Sequence, residues 1–379
     1  MIYILRKMYK PNRAETNRLL SILRRFDERG IKVCVVFFQS DDILSECDEN
    51  FKNVSFYYYW KKFRSRIEVI NKFLVAFYVF QFRNSLKAGD IVFLDAMDNY
   101  VKWFVSKDDI KVYHQTTEYP GLALEEPSFR KLRAAEYRKY LKAVPKLDGI
   151  FVISTALKQF FVEHGVPKQR IAIINMTVDS NRFEGLQKQQ SEKYIAYCGD
   201  VSSIKDGVDT LIKAFKKVVD QYKESVKLYI IGPRPKRDDA GLFYKLIEDS
   251  HLEGKVVMTG LKPASEVPQI LKNAEVLALA RPDNIQAHYG FATKIGEYLL
   301  TKNPVVVTTV GDFPLFLEDK VSALLSEPDN ADAFADKLLW ALNHKEEAKR
   351  IGEAGAEIAL RNFNYQIETD KIIALIKTN

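Results

Sequence analysis

Short runs of β-branched and aliphatic residues alternate with stretches of helical periodicity along the whole chain, and few architectures accommodate that. In the first half the runs are IKVCVVFF (31–38), DIVFLD (90–95), IKVYH (110–114), GIFVIS (149–154) and RIAIIN (170–175). In the second half they are YIAYCG (194–199), VKLYIIG (226–232), KVVMTG (255–260), VLALA (276–280), PVVVTT (304–309) and ALLS (323–326). Continuous apolar strands separated by helices predict parallel sheets covered on both faces. Three of the later runs end in glycine (Gly199, Gly232, Gly260), at the strand edge where a doubly wound sheet takes its ligand.

A chain of 379 residues exceeds one core and predicts two domains. The reading is a first Rossmann-like domain over 1–182 and a polar, aperiodic linker over 183–193. A second Rossmann-like domain covers 194–360, and a terminal helix over 361–379 is placed to cross back to the first. The opening MIYIL reads as a strand rather than a signal peptide. The longest unbroken apolar run, 73–80, is far short of the roughly 20 residues a membrane span needs. Cys34, Cys47 and Cys198 are too few and too scattered for a disulfide framework or a Cys-x-x-Cys site, which points to a reducing compartment.

Charge is uneven. Residues 1–190 hold 32 Lys and Arg against 22 Asp and Glu, while the remainder holds 25 against 28. The first half is therefore expected to face something anionic. Its strongest clusters are FYYYWKKFRSR (56–66) and FRKLRAAEYRKYLK (129–142). Cations interleaved with aromatics suit an anionic membrane surface; a solvated basic face and a nucleic-acid contact are the alternatives.

Three features of the second half converge on a diphosphate. In YCGDVSSIKDGVDTLIKAF (197–215) a strand ends at Gly199, Asp200 opens the loop, and Lys205 precedes a helix. A helix start offers unpaired amides, and a lysine adds a point charge. In HYGFATKIGEYLL (288–300), Gly290, Phe291, Ala292, Thr293 and Lys294 lead into a helix carrying Glu297, a carboxylate able to take two ribose hydroxyls. Arg234 in IIGPRPKRDD and Leu261 in TGLKP follow two further strands and are candidates for the phosphate and base. In the first half, His114 ends a strand with Glu118 close behind, a pair that could bond a sugar hydroxyl or stabilise developing charge. The loop holding Asn12 and Arg13, with Thr16, is placed to meet acceptor or phosphate. There is no Asp-x-Asp pair, HExxH, Walker loop or Gly-x-Ser-x-Gly, so a reaction without metal or other cofactor is expected.

Taken in order, these segments resemble the retaining glycosyltransferases of family four, strongest over 149–363 through KLDGIFVISTALKQFF, YCGDVSSIKDGVDTLIKAF, VMTGLKPASEVPQILKNAEVLAL, ATKIGEYLLTKNPVVVT and GDFPLFLEDKVSALL. The resemblance implies a GT-B double-Rossmann fold and a nucleotide-diphosphate sugar, UDP-linked, as co-substrate. It implies a saccharide acceptor, lipid-linked, at the inner face of the cytoplasmic membrane, and no nucleic acid. It makes Glu297 the ribose ligand, Lys205 the cation on the diphosphate, Ala292, Thr293 and Lys294 the amide-lined helix start, and His114 the histidine near the transferred sugar. Two positions depart from the pattern. Tyr289 stands eight residues before Glu297 where the family has its first glutamate, and Asp200 stands where an arginine often follows the loop glycine. A nucleotide-sugar 2-epimerase and a nucleotide-sugar-binding subunit without turnover are the rival readings.

Overall fold

The computed structural model describes residues 1–9, 14–39, 50–59, 68–124, 130–189 and 192–378. They form two units, one of residues 1–175 with the helix Tyr365–Thr378, the other of Met176–Asn364.

The first unit carries a seven-stranded parallel sheet of β1 (Ile2–Arg6), β2 (Val33–Phe37), β3 (Val54–Tyr58), β4 (Ile91–Asp95), β5 (Lys111–Thr116), β6 (Gly149–Val152) and β7 (Ile171–Ile173). Its order is β3-β2-β1-β4-β5-β6-β7, so the chain winds outward from β1 and then restarts beside it at β4. Helix α1 (Ala14–Glu28) lays Leu19, Ile22, Leu23 and Phe26 on this sheet at the spacing that one helical face requires. Helix α2 (Glu68–Ser85) packs Val75, Val79 and Phe82 inward.

The terminal helix completes this core rather than hanging from it. Ile372, Ile373 and Ile376 join Phe26, Tyr113 and Phe151 in one cluster. Asp370 receives Arg25 and Arg29 from the end of α1, each at 2.6 Å. The buried Glu368 carboxylate accepts the Asn175 amide at 2.7 Å.

The second unit has a six-stranded parallel sheet of β8 (Tyr194–Cys198), β9 (Lys227–Ile231), β10 (Val256–Gly260), β11 (Val276–Leu279), β12 (Val305–Thr308) and β13 (Leu324–Ser326), in the order β10-β9-β8-β11-β12-β13. β8, β11 and β12 are almost wholly buried, as strands covered on both faces must be.

Two features differ from the sequence reading. β3 runs into the aromatic cluster read by its charge, overlapping it at residues 56–58. It is an edge strand that alternates exposed and half-buried residues, so it lacks the continuous apolar run that marks the others. The chain passes between units at Asn175–Met176, ahead of the polar stretch 183–193, because Met176 and Val178 are already buried in the second unit against Gly296.

Candidate active site

The strand order of the second unit puts its switch point between β8 and β11, neighbours in space but far apart in sequence. Ligands of open α/β sheets bind outside the carboxyl ends of the strands at such a point. Here β8 gives way to a one-turn helix, Ser203–Asp206, then to Gly207 and the helix Val208–Gln221. Gly207 is at φ +66°, and a Cβ there would stand 1.9 Å from the Ala280 carbonyl oxygen at the end of β11. Only glycine fits this closure without a backbone shift.

Charge gathers at this closure. Asp206 is buried, and its Oδ2 accepts from Lys294 Nζ at 2.5 Å and from the Tyr197 hydroxyl at 2.7 Å. The Lys294 ammonium also lies 5.3 Å from the Tyr197 ring centre. Burial pulls the Lys294 pKa below its ordinary value; Asp206 opposes this, while Arg281 and Lys205 push in the same direction as burial. Burial alone would raise the Asp206 pKa, but Lys294, Tyr197 and Arg281 outweigh it and hold the carboxyl below its usual range. Lys294 and Arg281 thus bear on one buried carboxylate, and Lys205 lies close enough to act on Lys294, while Asp239 accepts from the Ser203 amide at 3.1 Å and hydroxyl at 2.7 Å in the same one-turn helix.

Glu297 sits half-buried in the first turn of the helix Lys294–Leu300 and is ion-paired with Arg182, whose other Nη donates to the Ala264 carbonyl at 2.8 Å. One hydroxyl, Tyr298 Oη, accepts the Cys198 amide at 2.6 Å and donates to the Cys198 carbonyl at 3.1 Å, fixing the last residue of β8. Burial pushes the Cys198 thiol up to about 12; Glu297 adds to this, and Lys294 and Arg182 oppose it.

The other donor-side candidates fall around the same edge. Gly199 follows β8, where Gly232 approaches so closely that a Cβ on the latter would stand 2.0 Å from the Gly199 oxygen. Asp200 and Arg234 are exposed, as is Leu261 at 64%. Lys205 and Thr293 are half-buried, and Ala292 is buried. Tyr289 is half-buried, edge-on to His288 at the end of the helix Ile285–Tyr289, which Gly290 caps.

Several expectations need correction. Phe291 is not a donor contact through its side chain: it is buried among Phe313, Phe316 and Phe363, with ring centres 5.0–5.8 Å away. Lys294 is more than a residue of an amide-lined start. Its helix has only 7 residues, so its dipole is short and the side-chain ion pair carries the local charge. His114 is fully buried, with Nδ1 3.0 Å from the Leu94 carbonyl and Nε2 2.8 Å from Asp98 Oδ1. The β4–β5 register sets it opposite Leu94, which turns the ring into the unit, so it presents neither nitrogen to a sugar in this structure. Thr16 is buried on α1 and does not face acceptor. Glu118 is exposed, and Asn12 and Arg13 lie outside the described residues. At the switch point of the first unit, Arg6 and Asp95 close β1 and β4 with a buried ion pair of 3.0 Å, and Gln115 donates to the same carboxylate at 2.9 Å.

Sequence reasoning missed Asp206, Arg281, Arg182 and Tyr298. The signal available was a charge directly after a strand end for Arg281 and directly before the loop glycine for Asp206. Among the described residues, no group of three or more His, Cys, Asp or Glu side chains converges as a metal site would require. A cavity of about 320 Å³ lined by Glu192, Lys193, Glu224, Ser225 and Lys227 lies at the amino edge of β8 and β9, away from this chemistry.

Residues 192–344 match the family model described as Glycosyl transferases group 1. The switch-point cluster and Glu297 fall inside the matched span. Among curated relatives, the poly(ribitol-phosphate) alpha-N-acetylglucosaminyltransferase of Staphylococcus aureus is 24% identical over 239 residues, 62% of this chain and 44% of that protein. A glycosyltransferase of Methanocaldococcus jannaschii, MJ1178, is 28% identical over 167 residues, 42% of this chain and 41% of that protein. The match spans under half the length of each. Solved structures align over the whole chain: Anabaena HepE in complex with UDP at a TM-score of 0.76 and 16% identity, covering 100% of both chains, and TarM at 0.77 and 15%, covering 99% of this chain and 98% of that one. The fold is GT-B. Its two parallel-sheet, Rossmann-like units are those described above.

Proposed function

We propose that this chain is a retaining, metal-independent glycosyltransferase. It moves a hexosyl or N-acetylhexosaminyl group from a UDP-linked sugar to a saccharide acceptor, lipid-linked, in cell-surface polysaccharide assembly at the inner membrane face. The observation that carries this reading is the group of cations Lys294, Arg281 and Lys205 gathered round the Lys294–Asp206 ion pair at the β8/β11 switch point. The family match over that unit supports it.

In this reading the diphosphate lies over Lys205 and the loop after Gly199. Lys294, held by Asp206, and Arg281, bonded to the Gln286 carbonyl, supply fixed positive charge behind it. As the sugar–phosphate bond breaks, negative charge grows on the leaving diphosphate. Charge already in place stabilises it without reorganisation, the largest catalytic term open to a site without a metal. The acceptor hydroxyl attacks from the face the leaving group vacates, its proton passing to the departing phosphate oxygen, so configuration is retained. Glu297, oriented by Arg182, takes the ribose hydroxyls.

The test is a donor screen by mass spectrometry with purified protein and a panel of lipid-linked saccharides. Expected is an acceptor heavier by one sugar residue, UDP released, and the donor's anomeric configuration kept. Tight UDP binding with no transfer to any acceptor would make the chain a binding subunit, and an epimerised donor without acceptor would make it an epimerase. Either result overturns the proposal.

A further inference from the structure

We propose that the outer face of α2 is a docking surface for an anionic lipid interface. It deepens the membrane-face part of the proposed function and rests on that reading, but it is argued from the first unit alone, so its failure leaves sugar transfer and the donor site standing.

A helix apolar all round is ordinarily buried all round. α2 (EVINKFLVAFYVFQFRNS) is apolar on most of its circumference, yet only one side meets the sheet. Asn71, Val75, Val79 and Phe82 face inward. Ile70, Phe73, Phe77 and Phe80, at intervals of three and four, form the opposite stripe and are 43%, 70%, 51% and 52% exposed. Phe77 continues through Tyr78 and Tyr59 to Tyr57 on the edge strand β3, with ring centres 5.6, 5.4 and 5.0 Å apart, and Tyr57 is itself 52% exposed. The exposed rings together offer roughly 400 Å² of apolar surface, the scale at which a patch marks an interaction site.

Charge selects the occupant. Glu68, in the first turn, is the one acid in α2, and Lys72 is exposed. In the sequence Lys61, Lys62, Arg64 and Arg66 come directly before the helix, and residues 1–190 carry 32 cations against 22 anions. Phenylalanines with lysines and arginines, and almost no acid, fit an anionic bilayer surface. Among the described residues no helix is long and apolar enough to cross a membrane, so α2 would lie flat in the interface, its phenylalanines among the upper acyl carbons.

The test is flotation of the full chain at physiological salt with phosphatidylcholine vesicles, with and without phosphatidylglycerol. Wild type should float with the anionic vesicles. The triple variant Phe73→Ser, Phe77→Ser, Phe80→Ser should bind them roughly tenfold more weakly or worse, with circular dichroism and UDP affinity unchanged. A single Phe77→Trp variant, which keeps the apolar face, should shift its added emission to the blue on binding and be quenched by bromine-labelled acyl chains. The proposal is overturned if wild type fails to float, or if the triple variant floats equally well. It is also overturned if the indole introduced by Phe77→Trp stays in water while the protein is bound. Sedimentation showing a dimer that the serines dissociate, without vesicle binding, would assign the face to a second copy and overturn it as well.

Discussion

Lys294 and Asp206 stand 88 residues apart in the chain and meet at 2.5 Å, with Asp206 buried and the Tyr197 hydroxyl on the same carboxylate oxygen. The pair fixes the helix Lys294–Leu300 to the loop after β8, the two segments assigned to the donor. Removing one partner strands the other charge in a desolvated place. Asp206→Asn or Lys294→Met alone should therefore cost about 3–5 kcal/mol, read as a lower urea midpoint. The double variant should recover part of that loss. Additive losses would show that the two side chains act separately.

Glu297 takes its orientation from Arg182. If its carboxylate binds ribose hydroxyls, wild type should prefer UDP over 2′-deoxy-UDP. Glu297→Gln should reduce that preference by roughly tenfold, the worth of one charge-assisted hydrogen bond. Arg182→Ala should act in the same direction through the unanchored carboxylate. Calorimetric titration of both nucleotides checks this, and undiminished discrimination in Glu297→Gln would remove the residue from the ribose.

The Tyr298 hydroxyl holds both backbone polar groups of Cys198. Tyr298→Phe leaves them buried without it and should cost about 1–3 kcal/mol. The Cys198 thiol, pushed up to about 12, should resist iodoacetamide at neutral pH in the native protein. In Tyr298→Phe it should label faster as the strand end loosens. Mass spectrometry of the labelled peptide gives the rate, and equal rates would show that the hydroxyl does not hold the strand.

The terminal helix is tied to α1 by Asp370. The hydrogen bond from Arg25 is the largest influence on its carboxyl; burial opposes it, the bond from Arg29 adds to it, and the outcome is a fall from 3.8 to about 2. A depressed carboxylate stabilises the fold above its ordinary value and loses that contribution as pH falls toward its folded value. The stability difference between wild type and Asp370→Asn should be present at neutral pH and shrink between about pH 4 and pH 2. Because Asp370 is about a third exposed, the difference should be only about 1 kcal/mol. Urea unfolding of both proteins across that range checks this, and a difference that persists at the acid end would point to helix packing instead of charge.

Much of this fold can be read from single segments. β8, β11 and β12 appear as continuous apolar runs because both faces are covered. β3 escapes the reading because an edge strand with half-exposed residues needs no such run. The candidate site divides along the same line. Lys205 and Glu297 stand out in local motifs, the one just ahead of a helix start and the other in the first turn of a helix. Asp206, Arg182 and Tyr298 do not, since their roles depend on partners 88, 115 and 100 residues away. His114 shows the converse: a strand-end histidine reads as reactive until the sheet register supplies both of its ring partners.

The central claim is that a pyrophosphate is held at the β8/β11 switch point by side-chain charge, with Lys205 as its direct contact. The most direct measurement is calorimetric titration of UDP and uridine into wild type and Lys205→Ala. Lys205→Ala should weaken UDP by roughly tenfold or more, leave uridine nearly unchanged and lower sugar transfer by about 10²–10³-fold. Equal UDP affinity in the two proteins, or an equal loss for uridine, would contradict the account.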